Sequence, residues 1–409
     1  MKIIQEILEK MTGIYKPQKK FIESMLGTIL SMGGRMNFRN MARYASYDEK
    51  TFSRNFEKPF DYLQFNCLTV NKIIDENGHY GIAYDPFFIK KSGKKTYGLE
   101  SFWNGSSGKS EKGLEGNGFA LIDIKKNTAY PLVVIQTPPK DEIKKLIGAS
   151  EANRMDFYVD CAEQQLNKMK LHGLPLSIKL LIVDAYFANK KFVTMARKCG
   201  YHVVSKLRCD ANLRFLNFEK KGGRGRPKKY GDKVDVKDLK SYSFVCATED
   251  GDDLYEGTFY SVNLKCTVKV ACLVRTRKNK QGLVLMFSTD LTLSAQEIHV
   301  TYSSRFQIEF IFRDGKQFVG LTDFQVRSKE KIHAHLNASA TALLLTKIQE
   351  TEAGAGTNER APFSMQSHKR RNYNEMLVNL IFSILGLDLS LIKFHPGIKS
   401  VIETGVVRC

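Results

Sequence analysis

Ser177-Ile178-Lys179-Leu180-Leu181-Ile182-Val183-Asp184 is a nearly all-apolar run that closes on a carboxylate. Such a run reads as a strand covered on both faces. A charge at its end is costly unless something pairs with it. Downstream, residues 188–199 have helical character and Tyr201-His202-Val203-Val204-Ser205 reads as another strand, which completes a β-α-β unit. Upstream, residues 141–172 are helical in character. Before them lie Tyr80-Gly81-Ile82-Ala83-Tyr84-Asp85, a short β-type run ending in a second carboxylate, and a Gly/Ser/Lys-rich stretch, 92–118. Gly118-Phe119-Ala120-Leu121-Ile122-Asp123 and Ala129-Tyr130-Pro131-Leu132-Val133-Val134-Ile135 then read as two strands joined by a hairpin turn at Lys125-Lys126-Asn127.

A three-strand meander followed by alternating helix and strand predicts an α/β fold with an RNase H-like core. In that layout the strands ending at Asp85 and Asp184 are neighbours, so both side chains emerge on one rim. A lone Asp at a strand end is more often a helix cap or turn former, and two in this topological order weaken that reading.

The remaining segments predict five regions. Residues 1–78 are helical and basic. Phe38-Arg39-Asn40-Met41-Ala42-Arg43-Tyr44 forms a short helix, Ala45-Ser46-Tyr47 a turn, and Asp48 caps Glu49-Lys50-Thr51-Phe52-Ser53-Arg54-Asn55-Phe56. This is either a helix-turn-helix offering Lys50, Thr51, Ser53 and Arg54 to DNA or a helical bundle with a solvated basic face. The first part of the core spans 79–205. Residues 206–290 comprise a basic linker, with twelve Lys/Arg against five Asp/Glu over 206–240, and a β-rich insertion. The second part of the core is 291–350, helical over 294–317 and 329–350. Residues 351–409 hold a loose loop (353–372) and a final apolar helix (373–386), expected to serve dimerisation.

The charge constrains the partner. Sixty-three Lys and Arg against 43 Asp and Glu give a net charge of +20, which draws a polyanion. No run reaches the roughly 18–20 apolar residues of a spanning helix, and the start lacks a signal-peptide pattern. The expectation is a cytoplasmic, nucleoid-associated protein whose partner is double-stranded DNA rather than membrane. The eight cysteines never form a C-x-x-C pair and read as reduced, mostly buried thiols. His333 and His335, two apart on a helix, face different ways and do not suit a metal pair. Asp123 belongs to a hairpin, and Asp160 and Asp290 lack a buried strand before them.

The third acidic element is Tyr302-Ser303-Ser304-Arg305-Phe306-Gln307-Ile308-Glu309-Phe310-Ile311-Phe312-Arg313-Asp314-Gly315-Lys316, helical by spacing. At about 100° per residue, Tyr302, Arg305, Glu309 and Lys316 share an arc of roughly 60°, with Arg313 beside it. On a plain surface helix this is an i,i+4 salt-bridge ladder. Beside a metal site, Glu309 completes a ligand set while Arg305 and Lys316 hold DNA phosphates. Phosphodiester cleavage is served by two Mg²⁺ ions about 3.5–4 Å apart, with Mn²⁺ able to substitute. Such hard ions take carboxylate oxygens. Asp85, Asp184 and Glu309 are therefore the candidate metal ligands and catalytic residues.

The spacing Y-x2-R-x3-E-x6-K at Tyr302, Arg305, Glu309 and Lys316 resembles the signature of bacterial transposases of the insertion-sequence-four type, which use an Asp-Asp-Glu site on an RNase H-like core of the transposase/retroviral integrase kind. The surroundings of Asp85 (Tyr84-Asp85-Pro86) and Asp184 (Ile182-Val183-Asp184-Ala185-Tyr186) resemble the family's two Asp regions, over roughly residues 80–350. The resemblance implies cut-and-paste transposition of an insertion sequence by cleavage and strand transfer, with binding of its terminal inverted repeats and target DNA, by a homodimer in a synaptic complex. Family members commonly carry a β-strand insertion between the second Asp and the Glu, and in the best understood of them a tryptophan there stacks on a flipped base during hairpin formation. Here the single tryptophan, Trp103, precedes the insertion, which leaves Tyr255, Phe259 or Tyr260 to offer the stacking face. Lys220-Lys221-Gly222-Gly223-Arg224-Gly225-Arg226-Pro227 resembles an AT-hook whose Arg224 and Arg226 enter a minor groove, or is a solvated basic linker. Two alternatives remain from the sequence: an RNase H-like nuclease without strand transfer, and a catalytically silent, transposase-derived DNA-binding protein.

Overall fold

The computed structural model describes residues 2–217, 230–277, 280–353, 363–388 and 395–407. The AT-hook-like Arg224 and Arg226 lie outside them. Five helices open the chain: α1 (Lys2–Lys10), α2 (Lys16–Ser31), α3 (Phe38–Met41), α4 (Glu49–Asn55) and α5 (Tyr62–Val70). Asp48 caps α4, as the sequence predicts, and Asn37 caps α3, each through a side-chain oxygen that accepts a backbone N–H bond. Phe21, Phe52 and Phe56 pack edge to face beneath them. Ser53, predicted to face DNA, instead accepts a bond from Lys331, which also pairs with Glu57. Lys50 and Arg54 remain exposed.

The sheet begins with β1 (Tyr80–Lys90), β2 (Glu100–Asn104), β3 (Lys109–Asp123) and β4 (Thr128–Gln136). After α6 (Lys140–Ile147) and α7 (Arg154–Leu171) come β5 (Leu180–Val183), α8 (Lys190–Lys198) and β6 (His202–Lys206). β1 lies antiparallel to β3 and parallel to β5, β4 lies on β3, and β6 is parallel to β5. The order β4-β3-β1-β5-β6 is consistent with an RNase H-like core. Both faces are covered, so Ile82, Leu181, Ile182 and Val203 are each fully buried.

Several boundaries differ from the sequence reading. β1 does not end at Asp85 but continues to Lys90, because β3 keeps pairing with it as far as Gly113. Pro86 is tolerated there because it falls just past the last β1–β5 pair, Tyr84 with Val183, where that flank of the strand is free. The Gly/Ser/Lys-rich stretch 92–118, to which the sequence reading assigned no element, contains β2 and most of β3. The insertion is not separate from the core. β7 (Leu213–Arg214), β8 (Ser243–Ala247), β9 (Asp253–Ser261), β10 (Cys266–Arg277) and β11 (Lys280–Ser288) extend the same sheet, as β11 pairs with β6. Phe259 is 2% exposed and offers no stacking face, while Tyr260 stacks on Tyr230.

The final helices are α9 (Ala295–Ser304), α10 (Gln307–Phe318), α11 (Lys329–Ala353), α12 (Met365–Ile384) and α13 (Pro396–Ile402). The predicted single helix over 302–316 is thus two. Arg305 and Phe306 keep right-handed dihedrals, but the bonds here are of the tighter i→i+3 kind, Arg305 N to Tyr302 O and Ile308 N to Arg305 O. α12 starts at Met365, so the last eight residues of the expected loop are helical, and α13 follows the helix expected to be last. Lys369 donates to the Phe318 carbonyl and Arg371 pairs with Glu403, giving that polar turn partners.

α11 is held against the core by buried polar groups. Asn337 exchanges two bonds of 2.8 Å with the backbone of Val134 on β4. His335, 1% exposed, reaches the Gly320 carbonyl at 2.7 Å, and burial depresses its pKa to about 4. A histidine kept neutral in the folded chain leaves the unfolded chain to bind the proton first. Its contribution is full above the usual 6.5 and is lost as pH falls towards about 4, by roughly 3 kcal/mol. His335→Gln is expected to flatten urea stability over that window relative to wild type, and an unchanged slope would contradict this account.

Candidate active site

The register of β1 and β5 sets the site. Gly81 pairs with Leu180 and Tyr84 with Val183, so one further step places Asp85 beside Asp184 where β5 ends. Asp184 heads a single 3-10 turn, Ala185–Phe187, yet its side chain makes no capping bond. The carboxylate is therefore not spent as a turn former. Asp85 projects towards the α9–α10 break.

At that break Arg305 donates from Nη1 to Asp85 Oδ2 at 3.1 Å and from Nη2 to Glu309 Oε1 at 2.8 Å. The Arg305 side chain is 13% exposed, that of Asp85 18% and that of Glu309 40%. Burial pushes the Asp85 carboxyl up to about 7; Arg305 opposes this, while Asp184 and Glu309 add to it. Burial also opposes the charge on Arg305, yet Asp85, Tyr302, Asp184 and Glu309 together raise its pKa. Three carboxylates and one arginine thus sit within electrostatic reach of one another.

Other predicted residues divide. Tyr302 is 8% exposed and packs between Arg305 and Lys206, so it supports the site rather than presenting a surface to DNA. Lys316 lies over the Phe87 ring and donates to the Phe88 carbonyl on β1, along the strand from Asp85. Arg313 pairs with its neighbour Asp314 and covers Phe310, outside the carboxylate group. Lys50 and Arg54 sit on α4 in the N-terminal helical layer.

Three residues escaped the sequence reading. Lys206, at the end of β6, is a cation beside Tyr302. Tyr186 and Phe306 are exposed rings (59% and 50%) next to Asp184 and Arg305. An aromatic shortly after each acidic or basic site residue was the available signal. Trp103 on β2 is likewise exposed.

The donor set fits a hard divalent cation in kind: oxygen ligands only, with more negative charge than one guanidinium balances. Among the described residues no three His, Cys, Asp or Glu side chains form a ready cage, and the cation that pairs with both Asp85 and Glu309 is Arg305. No described helix is long and apolar enough to cross a membrane.

Asp85 on β1, Asp184 directly after β5 and Glu309 on α10 thus form one acidic group around Arg305. Residues 159–345 match the family model of the transposase DDE domain. This segment, from within α7 to within α11, carries Asp184 and Glu309, while Asp85 lies upstream. The match supports a transposase, acting in DNA transposition and recombination. No curated protein matches the chain.

Proposed function

We propose that this chain is a transposase of the insertion-sequence-four type that cuts and rejoins the ends of a mobile element, with Asp85, Asp184 and Glu309 holding two divalent cations, Mg²⁺ or Mn²⁺. The observation that carries the reading is the convergence on Arg305 of Asp85 from β1 and Glu309 from α10, with Asp184 one register step away. The signature Tyr302, Arg305, Glu309 and Lys316 supports the subtype. Divalent ions bound there would activate the attacking water or 3′-hydroxyl and stabilise the departing oxygen.

The chain's own residues supply position. β1 fixes Asp85, and the first turn of α10 brings Glu309 to the same guanidinium. Lys206 and Lys316 flank the carboxylates and hold backbone phosphates. Tyr186 and Phe306 offer faces to bases unpaired at a cleaved end. Lys50 and Arg54 on α4 grip the terminal inverted repeats, and Arg313 adds a further phosphate contact. Two copies act together on paired ends, and the apolar outer face of α12, with Leu380, Ile381 and Ile384 all exposed, is the surface we assign to their pairing.

The direct test is Mg²⁺-dependent nicking of a duplex carrying the element's own end. Glu309→Gln is expected to reduce nicking by about a thousandfold while binding the duplex with unchanged salt dependence. Wild-type-like nicking by Glu309→Gln or Asp184→Asn would remove the metal assignment.

A further inference from the structure

We propose that Arg305 is a switch between metal and DNA: it neutralises Asp85 and Glu309 in the metal-free protein and, when a divalent cation displaces it, turns outward to a DNA phosphate. This rests on the metal-site reading above. The guanidinium lies on the carboxylate oxygens a cation would use, Asp85 Oδ2 and Glu309 Oε1. Its planar fork bridges a carboxylate on a strand 220 residues away in sequence and one on the helix four residues on, which a single ammonium cannot do in the same way. A cation and Arg305 therefore compete for the same charge.

The surroundings permit the exchange. Asp85 is fixed within paired β1, whereas Glu309 is 40% exposed in the first turn of α10 and free to readjust. Arg305 itself stands where the helical ladder is interrupted between α9 and α10, and its neighbour Phe306 is 50% exposed. A short outward rotation brings its charge to the protein surface. Linkage then makes the effects reciprocal. Whatever draws Arg305 away frees oxygens for the cation, and whatever neutralises those oxygens frees Arg305 for phosphate. Metal and DNA would bind with positive coupling through one side chain.

Mn²⁺ binding to the full chain, followed by the electron paramagnetic resonance of free Mn²⁺, tests this without reference to activity. Wild type, Arg305→Gln, Arg305→Lys and Asp184→Asn are compared with and without a short DNA duplex. Wild type is expected to bind Mn²⁺ more tightly when DNA is added. Arg305→Gln is expected to bind it roughly tenfold more tightly than wild type without DNA and to gain nothing on adding DNA. Arg305→Lys should lie between them, and the metal-free melting temperature of Arg305→Gln should fall and recover with Mn²⁺.

If Asp184→Asn abolishes Mn²⁺ binding but Arg305→Gln binds no more tightly than wild type, the switch is wrong and the metal site stands. If no Mn²⁺ binding depends on Asp184, both fail. Should Arg305→Gln not fold, Arg305→Lys decides, since affinity equal to or below wild type overturns the proposal.

Discussion

Asp85→Asn is expected to lower Mg²⁺-dependent strand cleavage by about a thousandfold or more while leaving the protein at least as stable as wild type near pH 7. The two halves have separate causes. Cleavage falls because an amide is a weaker ligand than a carboxylate for a hard cation and carries no charge to hold it. Stability holds because the native carboxylate is energetically unfavourable where it sits. Burial lifts its pKa from the ordinary 3.8 to about 7, with Asp184 and Glu309 adding to the effect and Arg305 only partly offsetting it. A raised carboxyl means that the folded chain binds more protons than the unfolded one between those values. Its stabilising contribution is whole below about 4 and is lost as pH rises through about 7. Asparagine has no charge to desolvate, so the variant's profile should be flatter across that window. Urea midpoints for metal-free protein at pH 5 and pH 7.5, with single-turnover nicking alongside, read both halves. Cleavage within tenfold of wild type would exclude Asp85 from the ligand set. A variant markedly less stable at pH 7.5 would mean that the Asp85–Arg305 pair contributes more than the buried charge costs.

What the sequence disclosed depended on how local the signal was. Leu180–Val183 followed by Asp184 announced a buried strand, and the order of strands placed Asp85 next to it. Both readings rest on apolar runs that survive into the structure. The spacing from Tyr302 to Glu309 offered the Arg305–Glu309 pair only as the plain-surface alternative to phosphate binding, and the pair forms because the backbone stays right-handed through Arg305 and Phe306 even where its hydrogen bonds shorten to i→i+3. The second partner of Arg305 was hidden. Asp85 lies 220 positions away, and a cation on a helical stripe looks the same whether it faces phosphate or carboxylate. The joining of the insertion to the core through β11 and β6 was hidden for the same reason. The glycines over 92–118 were opaque in a different way. Composition marks the stretch without assigning it an element, yet Gly113 and Gly116 are strand positions kept bare by the Ile89 carbonyl with the Phe88 ring and by the Phe87 ring. Only the packing partner, not the sequence neighbours, explains why a side chain is missing there.

Gly118 carries that point to the active site. It pairs directly with Asp85 across β1 and β3, and a Cβ built on it would lie 2.6 Å from Cε1 and 2.7 Å from Cζ of Phe312. Those atoms are the far edge of a ring, which would yield if it had somewhere to go. It does not: Phe312 stacks on Phe87 at 4.2 Å between centroids, and Phe87 already presses on Gly116. Gly118→Ala should therefore push the α10 helix away from the sheet. Glu309 lies one turn before Phe312 on the same side of that helix, so the displacement also moves it from Arg305 and Asp85. The expected result is a loss of about 1–3 kcal/mol in stability and a fall in cleavage on the order of a hundredfold, the scale of an ångström of misplacement. Phe312→Leu supplies the discriminating control. Alone it leaves a cavity, but combined with Gly118→Ala it removes the ring edge that clashes. The double variant should recover stability and cleavage relative to Gly118→Ala, with a coupling of roughly 1 kcal/mol or more. Strict additivity in both readouts would show that Gly118 acts through β3 itself, and that the Phe312 contact does not set the position of Glu309.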